Sequence, residues 1–196
     1  MTWGRLFEEY HHFEQEHLTQ LAEADTTAPG SVSCDPNLVT PDYMQYEIHN
    51  QPGGYHGDPF AGFSYIQATN SFFLGFNDQD EVHLEIADRI ERPKDDKIDR
   101  ILDIACSAGQ TTIALKERFP KAEVWGIDYS AAQIRYAHKR AVDLNADVYF
   151  AQKLASRTTF PDSHFDMVNS FILFHEVPVD AAKHIVEEIY RILRPG

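Results

Sequence analysis

From Arg100 onward the chain alternates short apolar runs with helical patterns. This one feature narrows the possible folds more than anything else in it. The spacing predicts a strand over 101–105, a helix over about 109–118, a strand over 122–127, a helix over 130–143, strands over 147–151 and 165–172, and a helix over 179–193. Strands this short and this apolar are buried on both faces, which implies an α/β fold: a doubly wound, mostly parallel sheet with helices on each side. In such a sheet a ligand sits beyond the carboxyl ends of the strands, so the turn "ACSAGQ" after the first of them is the first place to look.

The preceding half reads differently. Residues 1 to about 24 form a helical pattern, with Trp3, Leu6 or Phe7, Tyr10, Phe13, His17 or Leu18, and Leu21 near one face. The segment "TTAPGSVSCDPN" reads as a linker, and residues 79–91 as a helix. Between them, Tyr43 to Phe76 is too apolar for a linker, and Gly53, Gly54 and Gly57 supply turns. A length of 196 residues, 43% of them hydrophobic, suits one α/β domain over 96–196 with an N-terminal helical, aromatic-rich attachment over 1–95.

A formal net charge of −14 argues against nucleic acid and anionic membrane as partners. The run Arg135, His138, Lys139, Arg140 reads as a solvated helix face. Cys34 and Cys106 stand in no metal or redox spacing, and the polar N-terminus holds no signal or spanning segment, so a cytoplasmic location is expected. In "HHFEQEH", His12 and Glu16 share a face, but no H-E-x-x-H or comparable ligand set is present and no metal is expected.

In the turn itself, Ala105, Cys106, Ser107 and Ala108 are small and Gly109 supplies one permissive position, so the backbone can still pass close to a ligand. The second strand ends in Asp128, 25 positions after Asp103, and Ser130 follows as a helix N-cap. A carboxylate there is suited to accept hydrogen bonds from two ribose hydroxyls. The nicotinamide fingerprint G-x-G-x-x-G is absent; the small residues alternate as A-x-S-x-G after an acid.

With these motifs on the page, residues 100–196 resemble the class I S-adenosylmethionine-dependent methyltransferases of the small-molecule type. "LDIACSAG" resembles the family's first motif, "GIDYS" its ribose-binding motif, "FPDSHFDMV" the approach to its fourth strand, and "EEIYRILRPG" the segment before its fifth. The resemblance implies a Rossmann-like sheet and S-adenosyl-L-methionine as cofactor. It places Asp103, Ala105, Cys106, Ser107 and Gly109 along the methionine moiety, Asp128 on the ribose, Tyr129 against adenine, and Leu154 beside the adenine edge. Ala105 and Ser107 stand where the family has glycine, and Leu154 where many relatives have an acid. The sequence ends at "LRPG", where the family normally continues with three more strands. The expectation is therefore either a truncated sequence or an oligomer or partner that covers the 165–172 edge.

Methyl transfer from a sulfonium needs alignment, exclusion of water and, for some acceptors, a base. His175 and Glu176, in "NSFILFHEVP", stand at the end of the fourth strand and are the candidate catalytic residues; their other reading is a loop hydrogen bond and a helix cap. The Asn/Asp-Pro-Pro-Tyr motif used on nucleic-acid bases is absent, which favours a small-molecule acceptor. Tyr55 and Tyr65 are the candidate substrate-binding residues if the aromatic run folds over the crevice as a lid; the same aromatics also serve as the core of the attachment. Beside the methyltransferase stands a second reading, a non-catalytic relative acting as a subunit or regulatory binding protein.

Overall fold

A computed structural model describes residues 3–50, 54–93 and 97–195. The side chains of Trp3, Leu6 and Phe7, the turn glycine Gly53 and the domain boundary expected at 95/96 lie outside the described residues. The elements are α1 (Trp3–His12), α2 (Glu14–Ala24), β1 (Ser31–Ser33), a 3₁₀ turn (Asp42–Gln45), α3 (Ala61–Phe72), α4 (Glu81–Asp88), β2 (Arg100–Ile104), α5 (Gln110–Arg118), β3 (Glu123–Asp128), α6 (Ala131–Asp143), β4 (Tyr149–Gln152), β5 (Met167–Ser170) and α7 (Val179–Ile192).

The five strands pair in the order β1-β4-β3-β2-β5, and every pairing is parallel. The register sets Ile104 beside Ile127 and Ser170, and Asp128 beside Gln152, so the carboxyl ends of four strands come out level and form one rim. Side chains alternate across the sheet as the pleat requires. Ile101, Val124 and Phe150 join the core under α4, α5 and α6, whereas Leu102, Ile104, Ile127 and Ala151 join a second core with Phe165 and the α7 residue Ile192.

The first core brings three small positions together. A Cβ on Gly126 would lie 2.7 Å and 2.8 Å from the Phe150 ring and 3.0 Å from Cys106 Sγ, and one on Gly109 would lie 3.0 Å from the tip of the same ring. The turn after β2 therefore rests on Phe150, and the absence of a side chain at Gly126 is what lets the ring lie there. Gly126→Ala is expected to destabilise the fold by about 1–3 kcal/mol through overpacking. A denaturant midpoint equal to the parent's would disprove that contact.

Three expectations need correction. The segment read as a linker contributes β1, whose Ser31, Val32 and Ser33 sit opposite Tyr149, Phe150 and Ala151. A three-residue Ser-Val-Ser run carries no period of its own, and the open edge of β4 supplies the pairing. The first helix is two, broken at Phe13 (φ −107°, ψ 28°), so His12 and Glu16 lie on different helices. The basic run on α6 is not a solvated face: Arg135 makes a forked pair with Asp25 at 2.7 and 2.9 Å, Arg140 pairs with Asp80, and His138 is fully buried. These contacts, with Gly62 of α3 packed directly on Tyr136, fasten the N-terminal half to the sheet domain.

Candidate cofactor and acceptor site

The turn joining β2 to α5 puts three alternate residues in the left-handed region: Ala105 (φ 57°), Ser107 (φ 47°) and Gly109 (φ 76°). A left-handed conformation costs an L-residue about 1–2 kcal/mol, so two of these positions are held against preference by their surroundings. Part of that hold is visible: Cys106 N–H donates to the Ile127 carbonyl (2.9 Å) and Gly109 N–H to the Cys106 carbonyl (2.8 Å). Cys106 is buried, and burial pushes its thiol well above the ordinary range, so it fills space and offers no nucleophile.

Asp128 ends β3 with one oxygen accepting from Ser107 N–H (3.1 Å) and the other from Ser130 N–H (2.9 Å). Each oxygen keeps a lone pair for a further donor. Burial pushes its pKa up to about 6 despite those two hydrogen bonds. Asp103 is also raised to about 6 by burial, and its oxygens accept from the Thr112 hydroxyl (2.7 Å) and the Asn169 amide (2.6 Å). Ser130 caps α6, accepting from Gln133 N–H (3.2 Å) and donating to the Tyr55 carbonyl. That last bond ties the aromatic segment to the turn between β3 and α6.

A cavity of about 700 Å³ opens above this rim. At its base lie Ala105, Ser107, Asp128, Tyr129 and Gln133; its walls are Tyr43, Met44, Tyr55, Tyr65, Phe72, Phe73 and Phe171; His49, His175 and Glu176 also line it. Tyr55 and Tyr65 meet edge to face at 5.8 Å, and burial raises the pKa of both hydroxyls, as it does for Tyr129, so all three stay protonated. His83, on another wall, is buried beside Asn77 Oδ1 (3.3 Å); burial lowers its pKa to about 4 and keeps its imidazole neutral. A small adjoining recess is lined by Asp103, Cys106, Ser107, Gln110 and Thr111.

The structure gathers Ala105, Ser107, Asp128, Tyr129, Tyr55, Tyr65, His175 and Glu176 around the cavity, and Asp103 and Cys106 around the recess. Gly109 stands one residue behind as the N-cap of α5. Leu154 is buried; Lys153, Ala155 and Ser156 reach the cavity instead. Sequence reasoning passed over Gln133, His83 and His49. Gln133 sits three residues into the helix that the Asp128 strand feeds, a position that the "DYSAAQ" spacing does mark. For His49 and His83 no local signal exists.

Gln133 also tests whether the site suits a nucleoside cofactor. Its side chain is 1% exposed, lines the cavity, and has no hydrogen-bond partner for either amide atom among the described residues. An unsatisfied buried amide beside a free-lone-pair carboxylate fits a polar ligand with both donors and acceptors. A parallel sheet with a tight left-handed turn after its first central strand and an acid ending the next defines a nucleoside-cofactor-binding α/β domain.

Comparison with known proteins makes that class specific. A family profile described as a methyltransferase domain matches residues 101–196. A demethylmenaquinone methyltransferase of Thermus thermophilus is 37% identical over 97 residues, covering 50% of this chain and 43% of the relative. A 27-O-demethylrifamycin SV methyltransferase of Amycolatopsis mediterranei is 33% identical over 100 residues, covering 50% of this chain and 36% of the relative. Among solved structures, a SAM-dependent methyltransferase from Aquifex aeolicus superposes with a TM-score of 0.52 at 20% identity, covering 70% of this chain and 68% of that one; it supports the fold. The domain at residues 101–196 is a methyltransferase domain of the S-adenosylmethionine-dependent class I type. The match spans less than half the length of these two curated relatives. Among the described residues no helix is long and apolar enough to cross a membrane.

Proposed function

We propose that the protein transfers the methyl group of S-adenosylmethionine to a small, largely apolar acceptor bearing an ionisable hydroxyl or acidic carbon. The observation that carries this reading is the continuity of the cavity: cofactor-side groups at its base and aromatic walls above share one space, whose volume lies in the range of small-molecule sites. The aromatic walls suit a planar acceptor, in keeping with relatives named for menaquinone and rifamycin substrates. S-adenosylmethionine supplies a methyl group on a positively charged sulfur, a good leaving group without further activation.

The chain's own residues then have three tasks. Asp128 binds the ribose hydroxyls, the Tyr129 ring lies against adenine, and Asp103 with the 105–109 backbone holds the methionine end. Tyr55 and Tyr65 keep water out and face the acceptor, as parts of an N-terminal segment (residues 1–95) that acts as the lid of the 96–196 domain. His175 and Glu176, at the cavity wall, receive the proton of the acceptor as its oxygen or carbon attacks.

The test is turnover of labelled S-adenosylmethionine with a panel of hydroxylated naphthoquinones, short-tailed demethylmenaquinones and phenols. Methylated product together with S-adenosylhomocysteine is the expected result. Turnover with any acceptor would sink the non-catalytic reading; cofactor binding without turnover, or no cofactor binding by a folded chain, would put the non-catalytic subunit in the enzyme's place.

A further inference from the structure

We propose that His49, His175 and Glu176 form a binding site for one divalent transition-metal ion whose open coordination position faces the cavity. His49 Nε2 lies 2.9 Å from Glu176 Oε1 and 3.4 Å from His175 Nε2, and His175 Nε2 lies 3.6 Å from the same carboxylate oxygen. Three potential ligand atoms thus converge on one point. Ligands placed about 2.0–2.1 Å from a zinc-like ion in tetrahedral geometry stand about 3.3 Å apart. The observed triangle matches such a face to within a few tenths of an ångström.

Hydrogen bonding accounts for the arrangement less well. If the His49 Nε2 proton is given to Glu176, His175 Nε2 faces a nitrogen with no second proton to offer, and 3.4 Å exceeds the usual donor–acceptor range. The rings are tilted by 58° with centroids 5.4 Å apart, so they are not stacked either. A cation at the centre would satisfy all three lone pairs at once. Two imidazoles and one carboxylate suit zinc, cobalt or iron(II) better than magnesium or calcium.

Three protein ligands and one open position is the pattern of a catalytic rather than a structural site. All three residues line the cavity and are partly exposed, so an ion can enter from solvent and an acceptor oxygen can complete its shell. The site is the one to which the proposed function assigns proton removal; with His175 and Glu176 engaged as ligands, a bound ion would lower the pKa of a coordinated acceptor hydroxyl, whose proton would pass to solvent water in place of imidazole. The ligands are 126 positions apart in the chain, which is why the histidine-rich "HHFEQEH" drew attention and this set did not.

The experiment is titration of the untagged, chelator-stripped full chain with Co²⁺, read by its visible ligand-field bands. Calorimetry with S-adenosylhomocysteine is run on the same sample. One equivalent of Co²⁺ giving the intense bands of a four-coordinate site is expected, with His49→Ala and Glu176→Gln each weakening binding by more than about tenfold, while His12→Ala leaves it unchanged. Weak six-coordinate bands, no bands in a chain that binds the cofactor product, or equal bands in His49→Ala would each overturn the site. The calorimetry reports separately on the cofactor crevice, so a failed metal site and a failed methyltransferase reading cannot be confused.

Discussion

Asp128→Asn is expected to lower the affinity for S-adenosylhomocysteine by more than about tenfold while leaving the chain folded. The charged carboxylate already serves two backbone donors, Ser107 N–H and Ser130 N–H, and its remaining lone pairs face the cavity. Charge-assisted hydrogen bonds to two ribose hydroxyls are worth about 1.5–3 kcal/mol each, and the amide keeps one oxygen and presents an N–H₂ where an acceptor is needed. The same carboxylate predicts a pH dependence. Its pKa in the free protein is raised to about 6 by burial, and the ligand needs the ionised form, so protons compete with the ligand. Affinity should hold at pH 7 and fall as the pH drops below about 6. In Asp128→Asn the fall should be shallower, the remainder coming from Asp103, which is raised to the same value. Calorimetric titrations at pH 5 and pH 7 on parent and variant read both effects; a variant that binds like the parent would place the adenosine half elsewhere.

What the sequence revealed follows the range of the interactions involved. The strands β2 and β3, the turn between β2 and α5, the Asp128 terminus and the Ser130 cap are written in runs of a dozen residues or fewer, where period and residue type suffice. The left-handed angles at Ala105 and Ser107 are local as well, yet two residues other than glycine disguised them. Hidden features depend on distant partners. The edge strand β1 exists because β4 offers it hydrogen bonds 118 positions later, as Ser31 opposite Tyr149 illustrates. Arg135 and Arg140 look like surface charges until Asp25 and Asp80 are folded against them. His49 reaches the cavity from the aromatic segment, where nothing beside it in the chain announces a ligand. The turn after β2, the Asp128 terminus and the candidates Tyr55, Tyr65, His175 and Glu176 were therefore open to reading, whereas His49 and His83 joined them at the cavity only with the chain folded.

The second large effect is structural and lies behind the cofactor turn. Asp80, itself left-handed (φ 61°), accepts from the Gln110 amide at 2.6 Å through one oxygen and from Arg140 through the other. Arg140 also donates to the Ala108 carbonyl at 3.1 Å. A single carboxylate thus joins the loop before α4, the first residue of α5 and the last turn of α6, with both charged side chains mostly buried at 13% and 16% exposure. Removing one member of such a pair strands the other charge, which costs about 3–5 kcal/mol when burial is complete. Asp80→Ala is accordingly expected to destabilise the protein by about 3 kcal/mol, measured by urea unfolding. An alanine in the left-handed region adds to the loss. Asp80→Asn retains one acceptor and tolerates the backbone angle, so it should lose less than half as much. The Ala108 carbonyl and Gln110 belong to the cofactor turn and its helix, so the alanine variant should also bind S-adenosylhomocysteine more weakly than its lost stability alone explains. If Asp80→Ala unfolds within about 0.5 kcal/mol of the parent, as surface changes do, Arg140 is solvated in solution and the turn is held by β3 and Asp128 alone.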